Sequence, residues 1–178
     1  GAPVIGNAAS ASTTVTLSSG DAAIQANFTP KKYGLTVTAG TGGIAGGSAT
    51  VSHGIAAPIS ASANSGYVFN GWTVASGQGV AFGDPDIANT TVTLTGGDAG
   101  IQAGFIPVYT LTVTAATGGT IQAPLSPSVI VKQGAVTDIK ASPSPGYRFL
   151  NWTSSAAGVA FGSSTSASTT VTLSAENA

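Results

Sequence analysis

The chain has 178 residues, of which only 6% are charged, and its formal net charge is −1 at pH 7. So weak a charge gives no electrostatic footprint for nucleic acid or an anionic bilayer, so we expect neither nucleic-acid binding nor membrane insertion. The sequence has no Cys and no Met, which excludes disulfides, thiolate metal sites and thiol nucleophiles. Low charge also removes repulsion between copies, so we expect the partners to be copies of the chain or neighbouring repeats.

The sequence shows no sign of a membrane span or a signal peptide. It contains no run of about 18 apolar residues, and its first residues have no basic region followed by an apolar core. The chain starts at Gly1 rather than at Met. We therefore expect a processed product or a fragment of a longer protein, located outside the cell or on its surface.

Residues 1–32 are predicted to be the C-terminal part of an incomplete β repeat. The five residues TTVTL occur three times, at residues 13–17, 90–94 and 169–173. Each copy alternates Thr with Val or Leu, which is typical of a strand with one buried face.

A second segment of residues 1–32 also recurs. Residues 20–28 (GDAAIQANF) match residues 97–105 (GDAGIQAGF). Ile24, Ala26 and Phe28 alternate along this segment, so they fall on one face of a strand. The Gly-Asp pair favours a turn, so we predict a hairpin with the preceding TTVTL strand.

Residues 33–108 are predicted to be a complete β repeat of about 76–80 residues. Its first strand, residues 33–38, places Tyr33, Leu35 and Val37 on one face. A second main strand follows at residues 55–63. A long loop from residue 80 then leads to the final hairpin, and no segment shows helical periodicity with caps.

An aromatic segment lies at the centre of this repeat. Residues 66–72 (GYVFNGW) return as residues 146–152 (GYRFLNW), and the two segments contain both tryptophans of the chain. They predict a buried strand, with a bulge near Gly71 and Asn151. The expected structural core is Tyr67, Phe69, Trp72, Tyr147, Phe149 and Trp152. An exposed aromatic platform for sugars is the alternative.

Residues 109–178 repeat the order of elements but contain no counterpart of residues 101–105. We therefore predict a β repeat that lacks its last strand. Pro30 and Pro107 stiffen the connections between repeats. The predicted fold is all-β, with tandem small β-sheet modules, grasp-like or sandwich-like, in a semi-rigid string.

The order of these motifs resembles a known family. Residues 111–114 (LTVT), 118–119 (GG), 141–152 (ASPSPGYRFLNW) and 169–173 (TTVTL) resemble the divergent internalin B-repeat modules of bacterial surface proteins. The resemblance covers the whole chain when partial modules are counted. It implies an extracellular spacer or adhesion module with a small β-grasp-like or sandwich-like sheet, and it implies no catalytic residues.

The sequence gives little support for catalysis or metal binding. His53 is the single histidine and has no counterpart in residues 109–178, so we interpret it as a loop residue. Asp84, Asp86 and Asp98 form a candidate Ca²⁺ site, but Ser163 and Thr165 replace the first two in the later repeat. We therefore predict no enzyme activity, no cofactor and no metal.

A Lys–Asn cross-link is a further alternative. Lys140 lies on a predicted strand, but its counterpart is Ser60, and Glu176, the one glutamate, lies near the end of the chain. Another alternative is a flat Thr face for ice or polysaccharide, formed by Thr-x-Thr rows at residues 36–38, 91–95, 110–114 and 170–172. Such a face requires the rows to lie side by side on one sheet.

The function predicted from these patterns is a stalk, spacer or fibre subunit. A carbohydrate-binding or adhesion module that uses the aromatic or Thr faces is the alternative. Ile24, Ala26 and Phe28 lie on a spare closing strand, and residues 109–178 lack one. We therefore hypothesise that residues 22–29 of one subunit complete the last repeat of the next, which leads to head-to-tail filaments.

Overall fold

The computed structural model describes residues 2–174 and confirms the all-β fold class. The chain divides into two compact units, Gly1–Pro30 and Lys31–Ala178. No helix in the described part is long and apolar enough to cross a membrane. The second unit contains both tandem repeats, which we call the central repeat (residues 33–108) and the C-terminal repeat (residues 109–178).

The first unit contains two short strands, β1 (Val4–Ile5) and β2 (Val15–Thr16), which pair with each other in antiparallel orientation. The strands of the second unit are β3 (Lys32–Ala39), β4 (Gly43–Gly46), β5 (Ala49–Ser52), β6 (Ala56–Ala63), β7 (Tyr67–Ser76), β8 (Val80–Phe82), β9 (Thr90–Leu94), β10 (Ala99–Thr112), β11 (Gly119–Ala123), β12 (Ser128–Lys132), β13 (Val136–Pro143), β14 (Val159–Phe161) and β15 (Ser168–Leu173).

The predicted hairpin in residues 13–28 is wrong. Residues 17–30 of the first unit form no strand, and β2 pairs with β1 instead. The side chain of Ile24 is 54% exposed and that of Phe28 is 90% exposed. A strand needs a partner edge and an apolar surface to pack against, and this unit provides neither for residues 22–29.

The central repeat packs two sheets around one core. In the first sheet, β10 lies between β3, to which it is parallel, and β7, to which it is antiparallel. The second sheet has the order β4-β6-β9-β8. The core between them consists of Leu35, Val51, Ile59, Trp72, Val92, Leu94, Ala99, Ile101 and Ala103.

Two features of the central repeat differ from the sequence prediction. The segments TTVTL and GIQAGF do not form a hairpin, because β9 pairs with β6 and β8 while β10 pairs with β3 and β7. The predicted loop also contains a strand, β8, which pairs with β9. In both cases, pairing with distant segments outweighs the local turn pattern.

The predicted bulge near Gly71 is confirmed. On β10, Ala103 and Phe105 are two residues apart, but their partners on β7, Trp72 and Phe69, are three apart. Gly71 takes up the extra residue with φ +100°, a left-handed value that favours glycine. The bulge changes the alternation of the strand, so Trp72 turns into the core, where it is 4% exposed.

Strand β10 connects the two repeats without a break. Its first half completes the first sheet of the central repeat, and its second half pairs with β12 of the C-terminal repeat, with Tyr109 opposite Val131. The C-terminal repeat also has a sheet with the order β11-β13-β15-β14. Its core consists of Leu111, Val113, Val131, Ile139, Val171 and Leu173.

A pair of equivalent glycines tests the packing of the two repeats. Gly42 has φ +99° and Gly118 has φ +102°, and a Cβ at either position would overlap a tyrosine ring, that of Tyr67 or that of Tyr147. We expect Gly42→Ala to lower the free energy of unfolding by about 2–4 kcal/mol, from left-handed strain and overpacking together. Gly118→Ala should cost only the strain, about 1–2 kcal/mol, because the exposed ring of Tyr147 is free to move aside. Urea denaturation of both variants measures the difference, and equal losses would contradict this account.

Candidate functional site

In the central repeat, the first half of β10 fills a slot between β3 and β7. Ile101 and Ala103 are fully buried there, and Ala99 is 5% exposed. Ala99 lies opposite Leu35 of β3, and Ala103 lies opposite Trp72 of β7. The slot therefore takes a strand that alternates small and large apolar side chains toward the core.

The Phe at the end of this strand has its own pocket. The ring of Phe105 lies against Phe69 with a centroid distance of 6.0 Å. It also lies against Gly43, where an added Cβ would overlap the ring. Glycine at position 43 thus leaves the space that the aromatic ring occupies.

An additional contact fixes the start of the strand. The Asp98 carboxylate accepts a hydrogen bond from the Gly34 N–H at 2.7 Å. This bond joins the residue just before β10 to the neighbouring strand β3. The segment that fills the slot therefore runs from Asp98 to Phe105.

In the C-terminal repeat, the equivalent slot is an open groove, which we call the acceptor groove. One wall is the second half of β10, where Leu111 and Val113 take the positions of Leu35 and Val37. The other wall is residues 147–154, which align with β7 but form no strand. No segment of the chain after Leu173 matches residues 101–105.

The acceptor groove has two adjoining parts. The first has a volume of about 550 Å³ and exposes core side chains, among them Leu111, Val113 and Trp152. The second has a volume of about 400 Å³ and is lined by Gly119 and Phe149, the counterparts of Gly43 and Phe69. The first part therefore corresponds to the site of Ile101, and the second to the site of the Phe105 ring.

The acceptor groove explains the burial of the six aromatic residues that the sequence assigned to the core. Trp72 is buried, and Tyr67 and Phe69 are half-buried. Phe149 and Trp152 are only half-buried, and Tyr147 is 58% exposed. The difference follows from β10, which covers these positions in the central repeat.

Both tryptophans are nevertheless held in the same way. The indole N–H of Trp72 donates to the Ile87 carbonyl at 3.2 Å, and that of Trp152 donates to the Ser166 carbonyl at 2.9 Å. The backbone N–H of each also donates to the following loop, at 2.8 Å to Pro85 and 2.7 Å to Ser164. This wall of the acceptor groove therefore keeps its anchor without a β10-like neighbour.

The candidate self-assembly residues Ile24, Ala26 and Phe28 lie in the first unit and are exposed. They share the pattern I-Q-A-x-F with residues 101–105. The same pattern is therefore buried in one part of the chain and exposed in another.

The titratable residues do not come together in a site. His53 is exposed, and its ring lies 5.9 Å from that of Tyr33. The proposed Ca²⁺ site is wrong: Asp98 binds the Gly34 N–H, Asp84 accepts from the Asp86 N–H at 2.9 Å, and no metal-binding cluster occurs among residues 2–174. Isolated carboxylates of this kind stabilise turns.

The remaining alternatives are also resolved in part. Lys140 is exposed on β13 and lies opposite Ser168, while Glu176 lies outside the described residues. The strand register places no Thr row of the described chain beside another; for example, Thr170 lies opposite Asp138 and Thr110 opposite Ile130. A flat array of adjacent Thr rows is therefore not formed within the chain.

Sequence reasoning missed the walls of the acceptor groove. Leu111 and Val113 read as ordinary core positions, and Gly119 reads as a turn residue. The available signal was the repeated Gly-Gly pair at 42–43 and 118–119, each followed by an aromatic segment. Its meaning depends on Phe105 lying against Gly43, which is a contact between distant parts of the chain.

The comparison with protein families gave one match. The model described as "Divergent InlB B-repeat domain" matches residues 33–108 and again residues 109–178. Searches of curated proteins and of solved structures returned no significant match.

Proposed function

The chain belongs to the divergent InlB B-repeat family, whose repeats are typical of bacterial surface proteins, and from this premise we propose a non-enzymatic extracellular structural role. The chain serves as a stalk, spacer or fibre subunit. The observation that carries the proposal is the unbroken strand β10, whose two halves belong to successive repeats. A shared strand transmits force and orientation from one repeat to the next without a flexible linker.

A spacer of this kind should behave as a stiff rod segment. We expect the central and C-terminal repeats to tumble together in ¹⁵N relaxation measurements on the full chain, with one rotational correlation time for both. Inserting a flexible Gly-Ser linker directly after Pro107 should give each repeat a shorter correlation time of its own, because β10 is then broken. Independent tumbling in the unaltered chain would contradict the spacer role.

The acceptor groove adds a means of joining subunits. It has an unpaired strand edge on one side and exposed core side chains beneath it. Such an edge binds an extended segment through main-chain hydrogen bonds, and its pockets select alternate side chains. We therefore propose that the acceptor groove takes a β strand from outside the repeat and so links the fibre subunit to the next one.

Strand acceptance can be tested with a peptide of residues 97–107, the segment that fills the central slot. We expect this peptide to bind the full chain and to shift the emission of Trp152 to shorter wavelength, because the indole loses contact with water. A matched peptide with Asp in place of Ile101 and Phe105 should not bind. Absence of binding by the unaltered peptide would contradict the acceptor function.

Glycan binding is a second candidate, favoured by the 58% exposure of Tyr147. An exposed aromatic ring offers a stacking face for a sugar. A glycan array distinguishes the two functions: binding lost in Tyr147→Ala, with the fold retained, supports the glycan module.

A further inference from the structure

The internal repeat supplies a template for the occupant of the acceptor groove. In the central slot, Ile101 and Ala103 are fully buried and Phe105 packs against Phe69. Residues 24–28 (IQANF) differ from residues 101–105 (IQAGF) only at the fourth position. The chain therefore carries a second copy of the strand that fits this kind of slot.

The one difference is compatible with the template. A Cβ at Gly104 would lie 3.5 Å from its nearest neighbour, the Gly71 carbonyl oxygen. That is an ordinary van der Waals distance, and Gly104 has no left-handed φ. Asn27, at the equivalent position of residues 24–28, is therefore sterically acceptable.

The spare strand is also accessible where it now lies. Ile24 is 54% exposed and Phe28 is 90% exposed, in a stretch without strand structure. Large apolar side chains so exposed mark an interaction segment when they share one face. Burying Ile24 and Phe28 in the acceptor groove would remove both from water.

We propose that residues 22–29 of one chain fill the acceptor groove of a second copy, parallel to the second half of β10 and antiparallel to residues 147–154. This proposal rests on the acceptor function and names the partner. Asp21, which precedes the segment, takes the position of Asp98 and accepts a hydrogen bond from the Thr110 N–H. The contact joins two different surfaces of the chain, so it propagates head-to-tail into a filament unless the rotation closes a ring.

The template fixes the register of the contact. Gln102 lies opposite Thr73 in the central repeat, so Gln25 of one copy lies opposite Thr153 of the next. Ala103 lies opposite Trp72, and Phe105 opposite Phe69. Ala26 therefore covers Trp152, and Phe28 enters the pocket beside Phe149 and Gly119.

This register can be trapped because the chain has no cysteine. Opposite residues of antiparallel strands have Cα atoms about 4.5–5.5 Å apart, within the range that a disulfide spans. A Gln25→Cys chain is mixed with a separately tagged Thr153→Cys chain and oxidised, and the mixed dimer is quantified. Both positions are exposed, so neither change disturbs a core.

The controls keep donor and acceptor effects apart. Asp138→Cys places the acceptor thiol on the exposed face of β13, outside the acceptor groove. Ile24→Asp in the Gln25→Cys chain removes the apolar anchor of the donor. We expect at least about ten-fold more mixed dimer from the Gln25 and Thr153 pair than from either control, because only that pair meets the geometric limits of a disulfide.

Three outcomes overturn the proposal in different ways. If the mixed dimer does not exceed the controls while the peptide of residues 97–107 still binds, the acceptor groove takes strands but residues 22–29 are not the donor. If the peptide also fails to bind, the acceptor function itself is wrong. If a chain that carries both cysteines forms only a monomeric disulfide, residues 22–29 fill the acceptor groove of their own chain, and the partner is not a second copy.

Discussion

Replacing Ile101 with alanine is expected to lower the stability of the central repeat by about 2–5 kcal/mol, whereas the same change at Ile24 should alter it by less than about 0.5 kcal/mol. The two isoleucines occupy the same position in nearly identical pentapeptides. Ile101 is fully buried between β3 and β7, and its truncation leaves a cavity in the core. Ile24 is 54% exposed and loses few contacts.

The two variants should separate folding from assembly. Urea denaturation followed by circular dichroism measures the stability, and sedimentation velocity over a range of concentrations measures the assembly. Ile24→Ala should weaken assembly while the fold remains intact, since the donor loses its anchor. A similar loss of stability in both variants would show that Ile24 is packed inside its own chain.

Supplying the missing strand within the chain is expected to stabilise the C-terminal repeat by about 3–6 kcal/mol. This estimate counts the burial of one Ile and one Phe side chain at about 1.5–3 kcal/mol each. Residues 169–178 align without gaps with residues 90–99. Adding the sequence of residues 100–107 (GIQAGFIP) directly after Ala178 therefore places Ile and Phe in the register of the central repeat.

This extended chain should also lose the ability to assemble. Its acceptor groove is filled from within, so residues 22–29 of another copy find no edge to pair with. Sedimentation velocity should show monomers at concentrations where the unextended chain forms oligomers. An extension with Asp in place of its Ile and Phe is the matched control and should restore assembly. Undiminished assembly of the unaltered extension would contradict strand donation.

The features that the sequence predicted well are those fixed by local alternation. Tyr33, Leu35 and Val37 face the core along β3, and Ile59 does so along β6. The bulge at Gly71 was also predictable, because the spacing of Phe69 and Trp72 does not fit strict alternation. Side-chain period and glycine chemistry act over a few residues, so one segment contains the whole signal.

Strand partners could not be predicted in the same way. Residues 97–98 (GD) suggested a turn between TTVTL and the next strand. In the structure, the Asp98 carboxylate instead accepts from the Gly34 N–H, 64 residues away. The parallel pairing of β10 with β3 depends on this long-range geometry, and no local pattern encodes it.

The state of the aromatic segments shows the same limit for the candidate site. Residues 66–72 and 146–152 are similar in sequence, yet only the first lie in a strand. The difference comes from β10, which pairs with β7 in one repeat and has no equivalent among the described residues of the other. Strand structure is thus a property of the pair of neighbours rather than of the segment alone.

The sharing of β10 suggests how the repeats extend. Its first half is the occupant of one slot, and its second half is the wall of the next. A following repeat in the same chain, or a strand from another copy, completes each new slot in the same manner. This accounts for a fibre or spacer built from one recurring contact.

The most direct test of the central claim is hydrogen exchange in residues 147–154, followed by mass spectrometry on the dilute, unassembled chain. The account predicts that these amides exchange about 100-fold or more faster than those of β7, because an unpaired wall opens at little cost in free energy. In the chain extended with residues 100–107, their exchange should slow to the level of β7. Equal protection of the two segments in the unextended monomer would contradict the claim that the acceptor groove lacks a strand.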